Sequence, residues 1–256
     1  MAQRAPRTRF NSSALVRVLS ELVETDLPAS KQSFAERLGQ WVDIGDALAL
    51  FSALDAGPRT SEIPRPAAPA DTGELRERFT RVWATLVSSI TGEARAEAGK
   101  GRIELPAPAP NEPIERAADF ASYHRYYLAH QREMVASIGP LRAAARTAVG
   151  RRSAGHERLA GLDAVLEKAL SGRERDLLAT VPTLLARRFG NLYAAHQATQ
   201  AAAQTADDPA QWMQAGGWLA VFCADLRAVL LAELELRLQP VAGLLAALDN
   251  EVTGKQ

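Results

Sequence analysis

Near the C-terminal end of the chain, Leu219, Cys223, Leu226, Leu230, Leu234, Leu238, Val241, Leu245 and Leu248 recur at steps of three and four. The mean step, 29 residues over eight intervals, is close to the ~3.6 residues of a helical turn, so the stripe stays on one side of a straight helix. Other parts of the molecule must cover it. The same periodicity recurs upstream. Leu15, Val18, Leu19, Leu22 and Val23 follow the capping side chains Asn11, Ser12 and Ser13 and predict a first helix ending near Thr25. Phe34, Leu38 and Trp41 predict a second, continuing through Ile44, Leu48 and Phe51, with Gly45 as the place where it bends or divides. Leu75, Phe79, Val82, Leu86 and Ile90 share one face of a helix capped by Asp71 or Thr72.

From residue 114 onward the helical signal runs to the end of the chain. One helix is expected over 114–138, stopped by Gly139-Pro140, and a second from Pro140 to about Val149. Leu159, Leu162, Leu166 and Leu170 mark the next. Leu178, Val181, Leu185, Phe189 and Leu192 mark another, with Pro182 as an expected kink. Asp208-Pro209 is expected to open the last helix, which Pro240 should kink. No strand alternation and no solenoid repeat is visible. The fold class is therefore all-α, a helical bundle of long amphipathic helices with a small N-terminal helical unit.

Proline divides the chain. Residues 58–70 hold four prolines and read as an extended linker, and 92–113 holds four more and reads as mobile or as a long connection. The expected organisation is an N-terminal helical hairpin or three-helix unit over 1–57, proline-rich connections around one amphipathic helix over 58–113, and the main bundle over 114–256.

With 256 residues, 47% of them hydrophobic, the chain can bury a substantial core. Thirty basic and thirty acidic residues cancel, so net charge argues for neither a nucleic-acid binder nor a membrane-surface protein. Locally the balance tilts: 140–200 carries ten Lys/Arg against five Asp/Glu, and 201–256 carries three against seven. Mutual pairing of the two segments is the preferred explanation. Cys223, the single cysteine, permits neither an internal disulfide nor a cysteine-based zinc site. The chain reads as reduced and cytoplasmic. Its basic opening lacks the marks of a secretory signal, and Asp225, Arg227 and Glu233 interrupt the most apolar region, which argues against membrane insertion.

No motif assembles a reaction centre. Three residues before His124, His130, His156 and His196 stand Ala121, Tyr127, Ser153 and Tyr193, so the Glu-x-x-His pair of bundle metal sites is absent. His156-Glu157 begins like a zincin helix, but Gly161 replaces the second histidine. Gly99-Lys100 is followed by Gly101 and lacks a phosphate loop's hydroxyl residue. Cys223 on its apolar stripe reads as a buried thiol and His196 as a hydrogen-bonded core histidine. No catalytic residue, metal or cofactor is assigned.

Two constellations are candidates for binding. In FASYHRYYLAHQREM, residues 120–134, Tyr123, Tyr126 and His130 trace one helical face, and amphipathic aromatics of this kind suit a partner interface. The competing and preferred reading is an internal helix whose polar tips find local partners. The second is a candidate basic patch of Arg151, Arg152, Arg187 and Arg188, supported by Arg142, Arg146, Arg173 and Arg175. Its spread over several helices without base-stacking aromatics favours a solvated or paired face over nucleic acid.

FNSSALVRVLSELVETDLPASKQSFAERLGQW, YLAHQREMVASIGPLR and WLAVFCADLRAVLLAELELRLQPVAGLLAAL together resemble a group of bacterial proteins, the domain-of-unknown-function family 3348, over most of the chain. Asp43-Ile44-Gly45 differs from that family's more aromatic pattern. The resemblance implies no activity, cofactor or site residue. For partners it implies a membrane-associated complex encoded nearby, with ion-channel-like and envelope-anchored proteins. The leading expectation is a nonenzymatic cytoplasmic scaffold or adaptor with an unknown protein partner, homo-oligomerisation remaining open. A nucleic-acid-associated protein using the basic helices between 140 and 200 stands second, and a helical-bundle enzyme third.

Overall fold

The computed structural model describes residues 13–23, 34–55, 69–93, 103–109, 112–204 and 206–250. These contain α1 (Ala14–Val23), α2 (Phe34–Trp41), α3 (Ile44–Asp55), α4 (Pro69–Thr91), α5 (Ile114–Ala117), α6 (Ala121–Gly150), α7 (Ala154–Leu178), α8 (Val181–Ala203) and α9 (Trp218–Asn250). No strand occurs among the described residues. The all-α bundle is thus observed.

The last helix is the axis of the molecule. α1, α4, α6 and α8 all lie against α9, and they bury more than the one expected stripe: Phe222, Val229, Ala232 and Leu244 join Leu219, Leu226, Leu230 and Leu234 in the core. A helix contacted from several sides needs apolar residues around most of its circumference. Beyond α6 lies α7, and beyond α7 lies α3. The helices of 1–57 therefore find their main neighbours in the bundle, α1 on α9 and α8, and α2 and α3 on α7. Ile103 and Leu105, inside the second proline-rich connection, also pack against the core.

Several punctuation marks act differently from expectation. Gly139-Pro140 does not stop a helix: α6 runs through it to Gly150. Ala136, whose carbonyl the proline cannot reach with an N–H, is exposed, as are Gly139 and Pro140, so the missing bond falls on the wet side. Meanwhile the buried positions Met134, Ile138, Leu141, Ala145 and Val149 hold the helix across the break. Pro182 sits in the first turn of α8, where its missing N–H costs nothing. Asp208-Pro209 opens only a single 3-10 turn, Pro209–Gln211. α9 begins later because Gly216 adopts φ +83° and a Cβ on Gly217 would stand 2.3 Å from the Trp212 carbonyl oxygen. Asp43, not Gly45, separates α2 from α3, its Oδ1 accepting the Asp46 N–H at 2.7 Å as a helix cap does.

Candidate docking surface

The aromatic helix face that sequence offered as a partner patch is core. Tyr123, Tyr126 and His130 are 2%, 5% and 1% exposed, because α6 is held between α4 and α9. The Tyr123 ring meets Phe222 edge-on at 5.3 Å and Phe189 at 5.5 Å. Tyr126 donates to the Ile90 carbonyl at 3.4 Å and crosses His130 at 4.5 Å. Burial raises the hydroxyl pKa of Tyr123 and Tyr126 and lowers the imidazole pKa of His130 to about 4, because a charged ring there would lose its hydration. Neither His130 ring nitrogen has a hydrogen-bond partner among the described residues. The three positions are buried, as in the internal-helix reading that the sequence favoured, and the candidate partner patch at Tyr123, Tyr126 and His130 is not accessible in the folded chain.

One step around α6 lies a polar centre that the sequence did not announce. Glu233 on α9 is fully buried. Its Oε2 accepts the Tyr127 hydroxyl at 2.5 Å, and its Oε1 accepts Gln131 Nε2 at 3.0 Å and Arg237 Nε at 2.9 Å. Gln131 also donates to the Tyr127 oxygen at 2.9 Å, and Arg237 reaches Glu174 of α7 at 3.1 Å. A buried carboxylate is tolerated only when charge and lone pairs are matched in this way. Burial, followed by the Glu233 charge, pushes the Tyr127 hydroxyl pKa far up. The centre fixes α6 on α9 and ties in α7. Every donor to Glu233 belongs to the chain itself.

A second polar site lies at the connection between α8 and α9. Asp207 Oδ1 accepts both Trp212 Nε1 and His196 Nε2 at 2.7 Å, so His196 is hydrogen bonded as expected. A cavity of about 450 Å³ beside them is lined by residues including Gln200, Asp208, Gln211 and Trp218. Trp212, Trp218 and Tyr193 lie in mutual ring contact at 5.1 to 5.8 Å, too close to enclose a ligand between them. Cys223 is buried, and burial pushes its thiol pKa up to about 11. No group of three or more His, Cys, Asp or Glu side chains that could hold a metal occurs among the described residues, and no helix among them is long and apolar enough to cross a membrane.

The candidate basic patch is divided. Arg151 and Arg187 are exposed, but Arg152 donates to Thr72 Oγ1 at 3.0 Å and Arg188 pairs with Asp225 at 2.8 Å. Arg142 and Arg146 grip Asp163 of α7 at 2.6 and 2.8 Å, and Arg146 also pairs with Glu167. Burial alone would raise the Asp163 pKa, yet hydrogen bonds from the two arginines outweigh it and hold the carboxyl below its usual range. Arg188–Asp225 is the expected pairing between the basic and acidic segments; the Asp163 cluster is instead internal to the basic one.

Exposed large apolar side chains occur singly on several helices, among them Trp83, Val135 and Leu177, and α3 carries three of them. Ala53 faces Gly161 of α7, where an added Cβ would lie 4.0 Å away, and Leu50 is half-buried. Leu48, Phe51 and Leu54 point the other way, 65%, 63% and 58% exposed. They fall at steps of three, with exposed Ala47 one turn before Phe51, and Asp55 is the charge at the end of the ladder. A helix with large apolar residues on both faces normally has neighbours on both. Among the described residues the main neighbour of α3 is α7. The signal was present in IGDALALFSALD, which has no polar face.

The model of the family described as "Protein of unknown function (DUF3348)" matches residues 1–250. The chain belongs to the DUF3348 family. The match spans both proline-rich connections, so α3 and its outward ladder lie within the part that defines membership. No curated protein and no solved structure matches the chain.

Proposed function

We propose that this DUF3348 protein is a nonenzymatic helical scaffold or adaptor that works in the bacterial cytoplasm through protein contacts, in a membrane-associated complex. The observation that carries the reading is the outward ladder Leu48, Phe51 and Leu54 on a helix already packed on its other side. Exposed apolar side chains scattered singly are ordinary, whereas three in register on one helix form the type of patch that partners cover. The polar centres support the same reading, since Glu233, Asp163 and Asp207 each accept hydrogen bonds from two or more side chains of the same chain. The test is a photocrosslinking side chain placed at Phe51 in the native cell, with Val135, an exposed residue of α6, as the reference position. A discrete polypeptide adduct at 51 and none at 135 is expected. Equal or absent labelling at the two positions would overturn the reading.

A further inference from the structure

We propose that the cavity at the connection between α8 and α9 binds a neutral, hydroxyl-rich molecule of mono- or disaccharide size, an inference that does not depend on the face of α3. The volume of about 450 Å³ falls within the ~300–1,000 Å³ typical of small-molecule sites. Apart from the two tryptophans, the wall is polar or small: His196 and Gln200 come from α8, and Asp208, Gln211 and Gln214 from the connection. Trp218, 6% exposed, belongs to the same wall, and its buried indole Nε1 has no hydrogen-bond partner. Buried donors without an acceptor are rare in folded chains. An oxygen of a bound molecule would satisfy this one.

The lining selects against most ligand classes. No lysine or arginine lines the cavity among the described residues, and Asp208 would repel an anion, which sets phosphates and carboxylates aside. A cation fares little better. Both Asp208 oxygens are engaged, Oδ1 by the Ala210 N–H at 3.0 Å and Oδ2 by Gln211 Nε2 at 3.2 Å, while Asp207 Oδ1 holds His196 and Trp212. A flat aromatic ligand needs a ring face to stack on. Trp212 and Trp218 are 1% and 6% exposed, packed on each other and on Tyr193, so neither ring offers one.

What remains is a set of three primary amides, each of which both donates and accepts. A sugar hydroxyl does the same. A ring carrying several hydroxyls can therefore pair with Gln200, Gln211 and Gln214 while presenting an oxygen to the Trp218 N–H. Because such bonds replace bonds to water, each adds little net free energy, and a dissociation constant on the order of 1 mM follows.

Saturation-transfer NMR of the full chain with glucose, N-acetylglucosamine and maltose as probes should show transfer to at least one of the three. In the spectrum of the protein the indole N–H signal of Trp218 should move on titration, while those of Trp41 and Trp83, which lie outside the cavity wall, stay in place. Replacing Gln211 and Gln214, both exposed, with alanine should raise the dissociation constant about tenfold. Ala215→Trp, which sets a bulky ring on the lining, should abolish binding; if that variant fails to fold, the glutamine pair decides. Unchanged melting shows that the fold is intact. Absence of transfer to all three sugars, transfer indifferent to the glutamine substitutions, or a stationary Trp218 signal overturns the proposal. Transfer to tetramethylammonium or uridine in place of the sugars also overturns it, giving the cavity a cationic or an aromatic ligand instead.

Discussion

Replacing Arg237 with methionine should destabilise this protein more than any other single surface-reaching substitution in the bundle. The guanidinium makes two contacts to Glu233, from Nε at 2.9 Å and from Nη2 at 2.8 Å, and one to Glu174 at 3.1 Å. Glu174 is largely exposed, so that bridge is worth at most ~1 kcal/mol. Glu233 is different. With Arg237 gone, a fully buried carboxylate keeps only the neutral donors Tyr127 and Gln131, and stranding a buried charge costs ~3–5 kcal/mol. For a chain of this size each kcal/mol lowers the melting temperature by about 2–4 °C, giving a fall of about 6–20 °C. Glu233→Gln retains the volume and removes the charge, and should cost less, ~1–3 kcal/mol. Combining Arg237→Met with Glu233→Met should cost less than the two single changes added, because no charge is left unmatched. Urea unfolding followed by circular dichroism measures the parent, the double variant and the three single variants, Glu233→Met included. An Arg237→Met variant within 1 kcal/mol of the parent (about 1 kcal/mol being an ordinary mutational cost), or strict additivity in the double variant, would refute the role given to this buried pair.

Leu226→Asp or Leu230→Asp places a carboxylate at a fully buried position of α9 and should abolish cooperative unfolding, since the cost of several kcal/mol rivals the whole stability of a domain; a soluble variant with unchanged melting would remove α9 from the centre of the core. Tyr126→Ala should lower stability by ~3–5 kcal/mol as a core truncation, measured by denaturant titration, where a loss below about 1 kcal/mol would return the residue to the surface. His130 has a folded pKa near 4 against 6.5 in the open chain, so the unfolded state binds the proton first. Its contribution is complete above about pH 6.5 and is lost as pH falls toward 4, ~3 kcal/mol in all. His130→Phe should flatten that part of the stability–pH curve, and an unaltered slope would mean that the imidazole is hydrated.

Periodicity made the bundle legible, and the α9 stripe from Leu219 to Leu248 is buried as a helix of that spacing must be. What spacing cannot convey is how many neighbours a helix has. Tyr123, Tyr126 and His130 share a face, but only the packing of α4 and α9 around α6 decides that the face is dry. A clue existed, because Tyr123, Tyr127, His130 and Met134 continue without interruption into Ile138, Leu141, Ala145 and Val149, all buried. Glu233 stood out only as a charge interrupting an apolar run; its i+4 neighbour Arg237 was the available sign of pairing, while Tyr127 and Gln131 come from 106 and 102 residues away. The prolines misled for a geometric reason: Pro140 meets solvent and Pro182 a helix start, and neither location follows from dipeptide composition.

The claim on which the functional reading depends is that Leu48, Phe51 and Leu54 serve contact with another chain and not the stability of their own. Melting the Leu48→Ser/Phe51→Ser double variant alongside photocrosslinking of the same variant from position 54 tests it most directly. Surface changes of this kind alter stability by less than ~0.5 kcal/mol each, so the melting temperature should move by no more than about 4 °C while the adduct formed from position 54 disappears. A fall of about 10 °C or more would show that the ladder is packed against its own chain, contradicting the account.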